Sequence, residues 1–292
     1  MKLKKELILK VFKFPNKVGF GTMMFGWKIP LIEAKKIIDL CIKSKIKFFD
    51  TSPSYGNGLS EIICGEILKS FKRKQFELST KFSLKNNKIK VAESIKSSMN
   101  KSLERLQTHY LDYFVLHHSV SLKKLRKVVK TMKELKRKKK IKSFILSNPS
   151  NALLKQIPRD LPILKQIDGF QFKHNILFKN DNIFKILKFK KFKLISYSPL
   201  AEGLLTGKYL KKTKFGRIVE ATKKKNYYKS LLSKKNKIII TKLYDACNKN
   251  FYNLTGKAYR FLLKDHRISN ILIGVSSFKQ LSKNISIINK IN

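Results

Sequence analysis

Hydrophobic and polar positions follow two alternating spacings along nearly the whole chain. Short apolar runs typical of β-strands recur at residues 17–21, 47–52, 76–82, 111–117, 141–148, 169–175, 193–200 and 270–276. Between them lie longer segments with apolar residues every three or four positions and a basic or polar opposite face, as in 32–44, 59–71, 91–106 and 122–140. This order predicts parallel strands that are joined by helical crossovers.

Two α/β architectures fit this order, an open doubly wound sheet and a closed barrel. The length of 292 residues favours the barrel, which typically takes about 250 residues. No GxGxxG follows the first strand, which counts against a dinucleotide-binding Rossmann sheet. We therefore predict one (β/α)8 TIM barrel domain over residues 1–292. Residues 1–17 would form a strand or hairpin that opens the fold, and residues 208–230 a long loop over the C-terminal mouth.

The charge of the chain is strongly basic, with 66 Lys and Arg against 18 Asp and Glu and a formal net charge of +48. Such a field attracts polyanions, so nucleic acid has to be considered as a partner. The lysines, however, recur in every predicted helix and loop, and the run Lys136–Lys140 ends a helix, where cations complement the helix dipole. We interpret the charge as a solvated basic surface and expect no specific nucleic-acid partner.

Cysteine usage and hydropathy indicate a protein of the reducing cytoplasm. Cys41, Cys64 and Cys247 form no CxxC pair and fall in helix-like patterns, which predicts packed thiols. No run approaches the roughly 20 apolar residues of a membrane helix, and no cleavage site follows the basic N-terminus. The histidines show no metal-ligand spacing with Cys or carboxylates, so we expect no metal. Because no run has the length of a membrane helix, we also expect no membrane partner. Nothing in the sequence indicates the oligomeric state.

Four ionisable residues stand at or just beyond the ends of three consecutive predicted strands: Asp50, Tyr55, Lys81 and His117. In a parallel barrel these strand ends converge on one face. An ammonium group beside a tyrosine stabilises phenolate and lowers the phenol's pKa, and a buried carboxylate keeps that ammonium charged. A histidine there can donate a hydrogen bond to a carbonyl oxygen as negative charge builds on it. Alternatives remain: a packing tyrosine, a structural ion pair, and His118 in place of His117.

These residues stand in stretches that resemble the aldo-keto reductase family. The stretches are Asp50–Gly56 followed by Ser60 and Glu61, then Ser79–Lys81, and a strand running from Leu111 to His117. The resemblance extends from about Gly19 to Asn284. It implies reversible hydride transfer between NADP(H) and a small carbonyl or alcohol compound, with Tyr55 as general acid/base assisted by the other three residues.

The resemblance also implies the cofactor and substrate contacts. The cofactor set is Gly21, Thr22, Asp50, Ser147, Asn148, Gln171, Tyr197, Ser198, Pro199, Leu200, Gly203, Lys208, Arg217, Gly274, Ser276, Gln280 and Asn284. The substrate pocket would comprise Met24, Trp27, Tyr55, Phe82, His117 and His118. Many members carry arginine at the position of Gln280 and glutamate at that of Lys283, so NADP(H) is expected and NAD(H) stays as the alternative.

Two other functions remain open at this point. A nicotinamide-binding regulatory or scaffold subunit would keep the barrel and the cofactor but turn over slowly, because fold does not fix function. A polyanion-binding protein would use the net charge of +48. The sequence identifies neither the physiological substrate nor the direction of the reaction.

Overall fold

Eight parallel strands close into a barrel in the computed structural model, which describes residues 16–84, 90–210 and 230–291. Each strand pairs with the next, and β8 pairs with β1. The strands are β1 (Val18–Gly21), β2 (Phe48–Asp50), β3 (Glu77–Phe82), β4 (Leu111–Leu116), β5 (Ile141–Ser147), β6 (Gly169–Lys173), β7 (Lys193–Tyr197) and β8 (Asn270–Ile273). The predicted fold class, a (β/α)8 TIM barrel, is confirmed.

Helices surround the barrel and follow the strands in alternation, with a 3-10 helix (Asp181–Lys188) instead of an α-helix between β6 and β7. They are α1 (Leu31–Lys43), α2 (Leu59–Leu68), α3 (Val91–Arg105), α4 (Leu122–Arg137), α5 (Asn151–Gln156), α6 (Leu161–Gln166), α7 (Lys234–Asp245), α8 (Phe251–Leu263) and α9 (Phe278–Asn289). Helix α4 illustrates how the sequence specifies a helix with one buried face. Ser121 accepts a hydrogen bond from the backbone N–H of Lys124 at the first turn, and Leu125, Val128 and Met132 are buried on one face.

Side-chain alternation along each strand divides the apolar residues into two layers. On β4, Phe114 and Leu116 belong to the large core between barrel and helices, whereas Tyr113 and Val115 belong to a smaller interior cluster. The interior cluster consists of Phe48, Tyr113, Val115, Ile145, Ile195 and Leu272. Such layers fill a TIM barrel, so the floor beneath the C-terminal face is packed rather than open.

Several expectations can be compared with this architecture. All three cysteines are buried free thiols, and burial raises the pKa of Cys64 to about 12. Across the described ranges, no helix is long and apolar enough to cross a membrane. The opening strand or hairpin expected before residue 16 and most of the expected mouth loop, residues 211–229, lie outside the described residues.

Candidate active site

A cavity of about 840 Å³ opens at the carboxyl ends of the strands. Every strand contributes a lining residue near its carboxyl end: Gly21, Asp50, Lys81, His117, Ser147, Gln171, Tyr197 and Gly274. This is the face on which TIM barrels carry their active sites. The four ionisable residues singled out in the sequence all line this cavity.

A buried ion pair lies at the base of the cavity. The Lys81 Nζ is 2.5 Å from the Asp50 Oδ2, and the two side chains are only 3% and 4% exposed. Ser79 Oγ and Gln171 Nε2 donate to the other carboxylate oxygen of Asp50, at 3.0 and 2.9 Å. Lys81 also donates to the carbonyl oxygen of Thr51 at 2.8 Å. The carboxylate and the ammonium are therefore both held by several partners.

Tyr55 stands over this pair, at the start of a short 3-10 turn, Tyr55–Gly58, that follows β2. The Lys81 Nζ is 4.7 Å from the centre of the Tyr55 ring. Burial would lower the pKa of Lys81, but the charge of Asp50 and hydrogen bonds with Asp50 and Tyr55 raise it above its ordinary value. The His117 ring meets the Tyr55 ring edge-on, with centroids 6.4 Å apart. The ammonium, the phenol and the imidazole thus share one wall of the cavity.

Thr22, expected among the cofactor contacts, lies behind this wall and does not line the cavity. It is fully buried, and its hydroxyl lies 2.7 Å from that of Ser60, which is also 2.9 Å from the Thr51 hydroxyl. Gly21 faces the cavity, and the next residue points the other way, as alternation along an extended segment requires. The Thr22 side chain therefore supports the loop backbone behind Asp50 and Lys81.

Polar side chains from β5 to β7 line the neighbouring wall. The Tyr197 hydroxyl donates to Asn148 Oδ1 at 2.9 Å, and Asn148 Nδ2 donates to Ser147 Oγ at 3.1 Å. Together with Gln171, these groups present amide and hydroxyl donors and acceptors beside an aromatic ring. Such a set suits a neutral carboxamide on a flat ring.

The cavity continues towards the loops after β7 and β8. The expected cofactor contacts Ser198, Pro199, Leu200, Gly203, Lys208, Gly274, Ser276, Gln280 and Asn284 all line this part. Gln280 Oε1 accepts hydrogen bonds from the backbone N–H and hydroxyl of Ser276, at 2.9 and 3.1 Å. Lys208 and Lys283 bring ammonium groups to the lining, which suits anionic phosphate. Arg217 lies outside the described residues.

Three of the expected substrate contacts do not line the cavity, whereas Met24, Tyr55 and His117 do. Phe82 is buried in the core between barrel and helices, where its ring centroid is 4.5 Å from that of Phe114. It points outward because it follows Lys81 on β3, whose side chain points inward. Trp27 is 61% exposed on the loop after β1. His118 is exposed and stacks on His117 at a centroid distance of 4.6 Å.

Other lining residues are not among the individually predicted contacts: Met23, Lys28, Glu202, Thr206, Phe251, Thr255, Tyr259, Leu272, Val275 and Ile287. Phe251, Thr255 and Tyr259 form one face of α8, since residues four apart lie above one another on a helix. That spacing is visible in the sequence, but only the tertiary structure shows that this face meets the cavity. Within the described part of the chain, no three His, Cys, Asp or Glu side chains are grouped to hold a metal ion.

Comparisons with known proteins agree with this geometry. The sequence model of the Aldo/keto reductase family matches residues 17–291. Aldo-keto reductase YhdN of Bacillus subtilis is 30% identical over 66% of this chain, and the alignment spans 61% of that relative's length. The NADH-specific methylglyoxal reductase of Escherichia coli is 25% identical over 94% of this chain and 90% of its own. A solved aldo-keto reductase from Klebsiella pneumoniae, in complex with NADPH, has the same fold at 16% identity, with a TM-score of 0.69 over 94% of this chain and 86% of its own.

Proposed function

This chain belongs to the aldo/keto reductase family, and on that premise we propose that it interconverts small aldehydes or ketones and their alcohols with NADP(H), with Tyr55 as general acid/base. The observation that carries the proposal is the buried pair of Asp50 and Lys81 beneath Tyr55, in a cavity at the strand ends. We include a cytoplasmic location and a small-molecule partner in the proposal.

The donor set of the cavity supports a nicotinamide dinucleotide as the cofactor. Ser147, Asn148 and Gln171 would hold the carboxamide, and Tyr197 would pack against the ring. Lys208 and Lys283 would meet the phosphates, with Ser276 and Asn284 at the adenosine end. When bound, the cofactor supplies or accepts a hydride at the carbonyl carbon. The relatives' names include an NADH-specific enzyme, so NAD(H) is kept as the alternative.

The residues of the chain itself supply the proton and the charge stabilisation. In the reductive direction the O–H bond of Tyr55 breaks, and its proton goes to the carbonyl oxygen. The Lys81 ammonium stabilises the phenolate that remains, and Asp50 keeps that ammonium charged and in place. His117, edge-on to Tyr55, would donate a hydrogen bond to the same carbonyl oxygen and orient it. The reverse sequence oxidises an alcohol.

The decisive test is Tyr55→Phe, which removes the phenolic hydroxyl and keeps the ring. We expect turnover to fall by at least about 100-fold, the usual scale for losing acid/base catalysis, with NADPH affinity by fluorescence titration unchanged. Tyr110→Phe is the matched control, because Tyr110 packs on Arg73 away from the cavity. Turnover at the wild-type level in a clean Tyr55→Phe preparation would refute the mechanism. Cofactor binding without consumption across a broad carbonyl panel would favour the regulatory alternative.

A further inference from the structure

The loop that follows β7 has an unfavourable backbone conformation. Ser198, Ala201 and Glu202 adopt φ angles of 58°, 48° and 58°, in the left-handed region. There the Cβ of an L-residue crowds the following carbonyl oxygen. Non-glycine residues persist in such conformations only when their surroundings hold them. Ser198 and Glu202 line the cavity, so the strained segment, residues 198–203, forms part of its wall.

Asn175 makes a hydrogen bond to this loop from a position outside the cavity. It lies just beyond β6, is fully buried, and its Nδ2 donates to the carbonyl oxygen of Ser198 at 2.8 Å. Its Oδ1 accepts from the backbone N–H groups of Leu177 and Phe178, both at 3.0 Å. The carboxamide is therefore fixed at one end by its own loop and holds the strained residue with the other. Asn175 itself does not line the cavity.

A second contact between the same two loops limits how far they can separate. The Ser196 hydroxyl, at the end of β7, donates to the carbonyl oxygen of His174 at 2.9 Å. Two residues after Ser196, the Ser198 carbonyl oxygen accepts the hydrogen bond from the Asn175 carboxamide. The same oxygen also accepts a hydrogen bond from the Ala201 N–H at 3.0 Å. The hydrogen bond from Asn175 is thus made where the left-handed backbone begins.

We propose that Asn175 is a positioning residue for the nucleotide: it keeps the strained 198–203 segment in its binding conformation and so sets cofactor affinity without contacting the cofactor. The proposal rests on the proposed function, since it requires a nucleotide in this cavity. Apparent affinity falls with the fraction of molecules in the competent conformation. Release of the segment therefore weakens binding and leaves the proton-transfer groups in place.

The test is Asn175→Asp, which preserves shape and the acceptor for Leu177 and Phe178 but sets an oxygen against the Ser198 carbonyl oxygen. We expect the NADPH Kd to rise about tenfold, because the loss of one hydrogen bond lowers the fraction of molecules in the binding-competent conformation by about that factor. At saturating NADPH, kcat should stay within about twofold of wild type. A merely structural role would instead lower the active fraction, and kcat with it. Asn182→Asp adds the same charge on the exposed surface and serves as control.

Strain relief gives an independent check. Ala201 is buried, does not line the cavity and has φ 48°, which glycine adopts freely. Ala201→Gly in the Asn175→Asp background should recover at least about threefold of the lost affinity, because the left-handed penalty is removed. If Asn175→Asp fails to fold, Asn175→Ser takes its place, because serine keeps a short acceptor but cannot reach Ser198.

The outcomes separate this inference from the function on which it rests. A wild-type protein that binds neither NADPH nor NADH would overturn the proposed function. A wild-type protein that binds NADPH, with an unchanged Kd in both Asn175→Asp and Asn175→Ser, would overturn only the positioning role. A parallel loss of kcat and affinity in a fully folded variant would also overturn it.

Discussion

Replacement of Lys81 by methionine tests how strongly the buried ion pair determines stability as well as catalysis. Methionine has nearly the length of lysine but carries no charge. The pair is almost fully excluded from water, with side-chain exposures of 3% and 4%. Without Lys81, the Asp50 carboxylate keeps only its hydrogen bonds from Ser79 and Gln171 and loses its countercharge. A buried carboxylate without a countercharge is strongly unfavourable.

The size of the effect follows from this burial. Removal of one partner of a buried pair costs about 3–5 kcal/mol of the free energy of unfolding, whereas replacement of both partners by neutral groups is often close to neutral. We expect Lys81→Met and Asp50→Asn each to lose about 3 kcal/mol. The double variant should lose less than the sum of the two by about 3 kcal/mol.

Activity should not follow stability through this cycle. All three variants lack the ammonium beside Tyr55, the carboxylate that holds it, or both, so turnover should stay low in the double variant too, although that variant is more stable than the sum of the single losses implies. Urea unfolding monitored by circular dichroism gives the stability, and carbonyl reduction at saturating NADPH gives the turnover. A loss below about 1 kcal/mol in Lys81→Met would refute the reasoning, because it would mean that Asp50 needs no countercharge.

Three further predictions concern the stability of the fold. A Cβ at Gly65 on α2 would lie 2.4 Å from the Arg105 carbonyl oxygen, so Gly65→Ala should destabilise the fold by about 1–3 kcal/mol. Gly256→Ala on α8, where the nearest atom is 3.6 Å away, should instead stabilise it by about 0.5–1 kcal/mol, and equal urea midpoints would contradict both expectations. Burial lowers the pKa of His174, so the unfolded chain binds the proton first as pH falls below about 6.5, and stability is lost there. When the pH is lowered from 7.5 to 5.5, the Tm of His174→Phe should therefore fall by less than the Tm of the wild type. Equal falls in Tm for the two proteins would contradict this prediction.

The fold was predictable because its signal is repeated and local. Eight apolar runs separated by longer segments specify strands without any tertiary information, and the predicted run 111–117 overlaps all of β4. The run predicted at 47–52 is longer than β2, because Thr51 and Ser52 are buried like the strand residues but belong to the loop that follows Asp50. Burial alone does not distinguish a strand end from a buried loop.

The cavity lining was predictable in part, and Phe82 and Thr22 are absent from it for a geometric reason. Asp50, Lys81 and His117 were placed together because parallel strand ends converge on one face. Phe82 and Thr22 were placed one residue beyond the inward position, where alternation turns the side chain away. The α8 face and the Asn175 hydrogen bond depend on contacts between distant segments, which no local pattern encodes.

A hydrogen bond between Gln171 and Asp50 joins the two functional halves of the cavity. Strands β2 to β4 carry the groups proposed for proton transfer, whereas β5 to β8 carry those proposed for binding the nucleotide. Gln171 on β6 donates to Asp50 on β2, 121 positions away in sequence, across the barrel mouth. Asp50 in turn holds Lys81, which is in contact with Tyr55. A ligand that contacts Gln171 would therefore contact a side chain that already donates to the carboxylate on which Lys81 depends, so the proposed binding and proton transfer share one hydrogen-bonded network.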